Sequence, residues 1–119
     1  MPDHIHALFQ LGHRLSLHRL LAKLKGGITR RCGLDRVFWQ ENVYEHRLRP
    51  NELSESYAFY VYMNPYRAGI CAMEDAWPWW VCTFPQRFEF CGKSRPNGSP
   101  QPEWLTDIEK LAAHIHHGE

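Results

Sequence analysis

The sequence contains no run of about 18 apolar residues, so it offers no membrane-spanning helix. Its first residues lack the basic-then-apolar pattern of a secretory signal. There are four cysteines, Cys32, Cys71, Cys82 and Cys91, and none stands in a CxxC pair. Neither a zinc site nor a disulfide framework follows from such spacing. Without an export signal, reduced thiols in a cytoplasm are the expectation. Net charge is also small: 14 Lys and Arg against 13 Asp and Glu leave +1, which excludes a chain that is strongly basic throughout. No internal repeat is present.

What is there is ordinary in bulk. Hydrophobic residues make up 44% and charged residues 23%, a normal globular composition. At 119 residues the chain reads as one small domain that buries a modest core. The charge is unevenly placed. Arg14, Arg19, Lys23, Lys25, Arg30, Arg31 and Arg36 fall within residues 14–36, where Asp35 is the only acid. Arg47 and Arg49 form a second basic group, and acids gather after residue 50. This asymmetry favours a polyanion-facing surface in the first half, against the plainer reading of a solvated helix face.

Residues 4–11 read as a strand closed by Gly12. Ser16 is a good N-cap for a helix running to about Cys32, with Leu17, Leu20, Leu21, Leu24 and Ile28 as its apolar stripe. Gly26-Gly27 is expected to weaken or bend that helix, and Gly33 to end it. Residues 37–40 and 44–48 read as strands with a turn at Glu41-Asn42. Asn51 or Ser54 can cap the next helix, which is expected to end near Asn64 because Pro65 follows. Trp77-Pro78-Trp79-Trp80 reads as aromatic packing beneath a sheet. By composition the chain divides into residues 1–92, a linker at 93–102 and a terminal amphipathic helix at 103–119. On that last helix Leu105, Ile108, Leu111, Ala112 and Ile115 share one face.

Two features carry chemistry. In His4-Ile5-His6, a strand would turn both imidazoles to one face, and imidazole binds divalent transition metals well. In Tyr60-Val61-Tyr62-Met63-Asn64-Pro65, a helix sets the Tyr60 phenol and the Asn64 carboxamide on one face. Tyr57 and Tyr62 are rivals, but only Tyr60 has a good oxygen donor four residues on, where Tyr57 has Val61 and Tyr62 has Tyr66. Two nitrogen ligands, one oxygen ligand and a nucleophile suit metal-assisted phosphoryl transfer through a covalent tyrosine. Read alone, the histidines can equally be ordinary polar residues and Tyr60 a half-buried helix tyrosine. The second triplet, His114-Ile115-His116, lies on a predicted helix where i and i+2 diverge, and reads as solvated surface.

These segments resemble one family. MPDHIHALFQL is similar to the MPNHxHLL signature of single-tyrosine HUH transposases. VFWQENVYEHRLR, FYVYMNPYRAGI and WPWW resemble, in order, three stretches of the REP-associated tyrosine transposase branch. The resemblance covers residues 1 to about 82. It implies an α+β fold, a ferredoxin-like antiparallel sheet with helices on one face. It also implies cleavage and rejoining of single-stranded DNA at palindromic hairpins through a 5′-phosphotyrosine. The implied roles are nucleophile for Tyr60, Mg²⁺ or Mn²⁺ ligands for His4, His6 and Asn64, and DNA contacts for Arg19, Lys23, Arg30, Arg31 and Arg36.

Family members carry a strand and a helix before the HUH strand. The expectation is therefore an N-terminally truncated domain lacking both, with a C-terminal helix added and an unpaired sheet edge beside the histidines. The expected partner is single-stranded hairpin DNA, the expected location a bacterial cytoplasm at the nucleoid, and a homodimer is allowed. The alternative to an active metal-dependent nicking and strand-transfer enzyme is a catalytically dead, hairpin-binding remnant.

Overall fold

The computed structural model describes residues 4–34, 39 and 45–118, with side chains as far as residue 113. Three α-helices form its regular structure: α1 (Leu17–Cys32), α2 (Ser54–Arg67) and α3 (Trp104–Gly118). Two short 3-10 turns, Pro85–Arg87 and Glu89–Gly92, lie between α2 and α3. The chain divides into two units, one made of Met1–Leu8 with Arg47–Glu119, the other of Phe9–His46. No helix among the described residues is long and apolar enough to cross a membrane.

No β-strand occurs among the described residues. The ferredoxin-like antiparallel sheet expected above is therefore corrected to a helical architecture. The physical reason lies in what a strand is. Apolar alternation fixes which way side chains point, but a strand exists only when another backbone takes up its N–H and C=O groups. Residues 4–11 and 45–48 have the pattern without that pairing. Residues 37, 38, 40 and 44, the rest of the other two predicted strands, lie outside the described residues.

In the smaller unit, α1 begins and ends where the sequence indicates. The Ser16 hydroxyl accepts the Arg19 backbone N–H at 3.2 Å, satisfying one of the orphan donors of the first turn. Gly33 closes the helix in the left-handed region at φ 64°, and the Leu34 N–H reaches the Thr29 carbonyl at 3.0 Å. The helix runs without interruption through Gly26-Gly27. Trp39 Nε1 donates to the Thr29 hydroxyl at 2.8 Å, and Lys25 Nζ sits 5.9 Å from the Trp39 ring centre.

The core belongs to the other unit and is built around the C-terminal half of α2. Five consecutive residues, Tyr62 to Tyr66, are buried. They cover more than one turn, so this end of the helix is enclosed on every side. Leu53 stands at the N-cap without a side-chain bond, so neither Asn51 nor Ser54 caps it. The helix also passes through Pro65 to Arg67 instead of stopping at Asn64. A proline this close to the end removes only one late hydrogen bond, the one Val61's carbonyl would have accepted. The Pro65 carbonyl then takes the N–H groups of Ile70 (2.9 Å) and Cys71 (3.2 Å) as the chain turns away at Gly69, φ 74°.

Against α2 pack α3 and the aromatic segment that follows α2. Ile108 and Ala112 of α3 are fully buried and Leu111 packs on the cluster, as the apolar face predicts; Leu105 lies at the edge of that face. Ile115 falls where side chains are not described. Phe59, Tyr62, Phe90 and Trp104 meet in edge-on and tilted ring pairs with centres 5.2–6.3 Å apart, a favourable quadrupolar arrangement. Glu55 ties the first turn of α2 to this segment, its carboxylate accepting the Glu89 (2.8 Å) and Phe90 (3.0 Å) N–H groups. The linker-like stretch 93–102 is packed: Ser99 and Pro100 are buried, and the Gly98 carbonyl accepts the Tyr62 hydroxyl at 2.7 Å.

Candidate functional site

Within the larger unit, residues from the start of the chain meet the middle of α2. Asn64 is 7% exposed, a buried carboxamide that must find a partner inside the protein. It finds His6: Asn64 Nδ2 and His6 Nε2 are 2.9 Å apart. His4 Nε2 lies 2.8 Å from the same His6 nitrogen, with the two rings edge-on at 4.7 Å between centres. The two imidazoles come together although no strand, the basis of the expectation, holds them. Ile5 between them is 58% exposed.

The chemistry of this cluster is informative. An imidazole Nε2 carries either one hydrogen or one lone pair. Two nitrogens nevertheless converge on His6 Nε2. A cation would be served by all of these donors at once, since each neutral imidazole offers a lone pair. Turning the Asn64 carboxamide over would present its oxygen in place of Nδ2. The separations also suit an ion. Octahedral ligands about 2.0–2.1 Å from Mg²⁺ lie about 2.9 Å from their neighbours. Among the described residues no group of three or more His, Cys, Asp or Glu side chains could hold a metal, so the carboxamide would be the third protein ligand.

Tyr60 stands one turn before Asn64 on α2 and is half-buried. Its ring packs edge-on to His6, centres 6.5 Å apart. The structure thus brings His4 and His6, from the start of the chain, together with Tyr60 and Asn64 of α2. The other tyrosines are placed differently. Tyr62 and Tyr66 are buried, and their hydroxyls donate to the backbone carbonyls of Gly98 and Asp75. Burial pushes both phenols above the ordinary value of 10.0, which makes them poor nucleophiles. Tyr57 donates its phenolic proton to the Glu52 carboxylate, whose other oxygen takes the Arg49 N–H at 2.7 Å. Tyr44 lies outside the described residues.

The proposed DNA-contacting residues fall in the other unit. Arg19, Lys23, Arg30 and Arg31 are exposed on α1, and Arg36 lies outside the described residues. At 3.6 residues per turn Arg19, Lys23 and Arg30 line one side of the helix and Arg31 sits apart. Arg30 and Arg31 occupy the last turn, where positive charge also complements the helix dipole. One feature was misplaced by sequence reasoning. Trp77 and Trp80 do pack on the core, against helices and not beneath a sheet, but Trp79 between them is 76% exposed. The signal was Pro78, whose fixed φ gives the chain a direction that a regular apolar run would not have.

Comparison with known proteins gives one informative result. The chain is 27% identical over 79 residues to the REP-associated tyrosine transposase of Escherichia coli (strain K12). That alignment takes in 66% of this chain and 47% of that protein, so the chain spans about half the length of the curated relative it matches. No protein-family description matches the chain, and no solved structure does. By sequence, the chain is distantly similar to a tyrosine transposase.

Proposed function

We propose that this protein is a transposase-like DNA strand transferase that cleaves and rejoins single-stranded DNA through a covalent link to Tyr60. The observation that carries the reading is the convergence of His4, His6 and Asn64 beside Tyr60. The distant similarity to a tyrosine transposase supports it from an independent direction. His4, His6 and Asn64 would hold one Mg²⁺ or Mn²⁺, leaving positions for water and a phosphate oxygen. Such an ion would polarise the phosphate and offset the charge that builds on it.

The chain's own residues do the rest. Asn64, enclosed in the core, fixes the side of α2 that faces the histidines. Tyr60 stands one turn earlier on the same side of the helix, its ring edge-on to His6. In the reaction the phenolic oxygen forms a bond to phosphorus and the bond from phosphorus to the 3′ oxygen breaks. The phenolic proton passes to water, and the departing 3′ oxygen takes one up. A 5′-phosphotyrosine and a free 3′-hydroxyl result. Attack by a 3′-hydroxyl reverses the step and restores the phenol, so rejoining needs no ATP. The exposed arginines and Lys23 of α1 would contact backbone phosphates of a hairpin.

Denaturing electrophoresis of a labelled single-stranded hairpin, incubated with the full chain and Mn²⁺, tests this reading. A covalent adduct that disappears in Tyr60→Phe supports it. An adduct that persists in Tyr60→Phe places the nucleophile elsewhere. Hairpin binding with no adduct in the wild type favours the binding-only reading.

A further inference from the structure

The side chains that converge at the edge of the core have no formal charge in their ligating forms. His4 and His6 offer ring nitrogens, and Asn64 offers a carboxamide oxygen once that group is turned. An Asp or Glu joining the two histidines would make a group of three able to hold a metal, and no such group exists among the described residues. Nitrogen therefore supplies two of the three donors that the structure brings together, and the one oxygen is neutral.

The donor positions lie 2.8 Å apart between His4 and His6 and 2.9 Å apart between His6 and Asn64. Ligands about 2.0–2.1 Å from an ion are about 2.9 Å apart on an octahedron and about 3.3–3.4 Å apart on a tetrahedron. The cluster has the octahedral edge, which suits a six-coordinate ion with water in its remaining positions. Geometry alone does not choose among six-coordinate ions, but donor chemistry does. Mg²⁺ takes oxygen ligands, carboxylates and phosphates above all, and gives up its water reluctantly. Imidazole suits transition ions, and affinity for a nitrogen-rich site climbs from Mn²⁺ through Co²⁺ to Ni²⁺.

We infer that His4, His6 and Asn64 form a site for six-coordinate transition-metal ions, selected against Mg²⁺ by its two imidazoles and its uncharged amide. The inference rests on the metal-binding part of the strand-transfer reading. It deepens that reading by naming the class of ion that the chain holds before any DNA arrives.

The test loads the full chain with Mn²⁺, without DNA, and follows release of Mn²⁺ by electron paramagnetic resonance as a second ion is added. A slight excess of Ni²⁺ should release the Mn²⁺, whereas roughly a hundredfold excess of Mg²⁺ should leave it bound. Only release is read, so other histidines of the chain that take up Ni²⁺ do not register. Asn64→Asp gives the site an anionic oxygen, and Mg²⁺ should compete there about tenfold better than in the wild type. Melting curves verify that this variant stays folded, and the wild-type competition decides the selectivity without it. Release by Mg²⁺ as readily as by Ni²⁺, or no release by Ni²⁺, would overturn the selectivity alone. An unchanged response to Mg²⁺ in folded Asn64→Asp would overturn the part assigned to the uncharged amide. No Mn²⁺ bound by the wild type, or equal binding in His4→Ala/His6→Ala, would overturn the metal site and the selectivity together. Because DNA is absent, a missing Tyr60 adduct in the separate assay removes the strand-transfer reading and leaves the selectivity standing.

Discussion

Asn64 Nδ2 lies 2.9 Å from His6 Nε2, joining residues 58 positions apart. The carboxamide is inside the core and the imidazole outside it, so the pair marks where the core opens to solvent. A buried amide with an exposed imidazole as partner defines a site edge, and the chemistry proposed for Tyr60 sits one turn away.

Metal binding follows from that pair. Asn64→Leu removes the oxygen ligand while filling similar volume, and Asn64→Asp supplies a charged oxygen in its place. Titration with Mn²⁺ followed by electron paramagnetic resonance should show binding lost in Asn64→Leu and in His4→Ala/His6→Ala, and kept in Asn64→Asp. Wild-type affinity in both the Asn64→Leu and double-histidine variants would remove the assignment.

The tyrosines should separate by function. Tyr60→Phe should abolish the adduct with little change in melting temperature. Tyr62→Phe leaves the Gly98 carbonyl without its 2.7 Å donor, and should cost about 1–2 kcal/mol of stability while keeping the adduct. The same burial gives a pH signature. The Tyr62 and Tyr66 phenols titrate higher when folded than the ordinary 10.0, and Cys91 is pushed up from 9.0 to about 11 by burial. The folded state therefore holds these protons more tightly than the unfolded chain. Their stabilising contribution is full below pH 9 and is lost as pH rises through that range and beyond. Melting temperature should fall on the alkaline side, less steeply in Tyr62→Phe than in the wild type.

The basic face of α1 should announce itself through salt. Phosphate contacts release counterions, so log affinity falls linearly with log salt, by about 0.7–0.9 per contact. Arg30→Ala/Arg31→Ala should weaken hairpin binding and reduce that slope, by about 1.4–1.8 if both residues touch phosphates. An unchanged slope would show that the two arginines serve only the end of the helix.

The glycines of α1 should respond with opposite signs. Nothing lies within 4 Å of a side chain added at Gly26 or Gly27, so alanine at either position should stabilise the helix by about 0.8–1 kcal/mol. Gly33 sits at φ 64°, and alanine there should destabilise by about 1 kcal/mol. Thermal melts of the three variants check both directions.

Local features were legible because local rules decide them. Ser16 and Gly33 mark the ends of α1, since a cap needs only a side-chain acceptor or a residue tolerant of positive φ. The buried face of α3 at Ile108 and Ala112 follows from helical spacing. The Tyr60–Asn64 relation is likewise set by one helical turn. Pro65 misled because its local rule is weak in a last turn, where one hydrogen bond is all that is lost.

By itself the sequence determined the three helical segments, the HxH pair and the tyrosine with its amide one turn on. Only the tertiary structure decided what these meet. Strand patterning in residues 4–11 names a face but no partner, and pairing depends on backbone elsewhere in the chain; the described residues supply none. Trp79 and Trp80 are equally apolar, yet across the turn at Pro78 one is exposed and the other packs on the core. That His6 rests on Asn64 required a fold to close 58 residues of chain, a long-range contact that no spacing rule encodes.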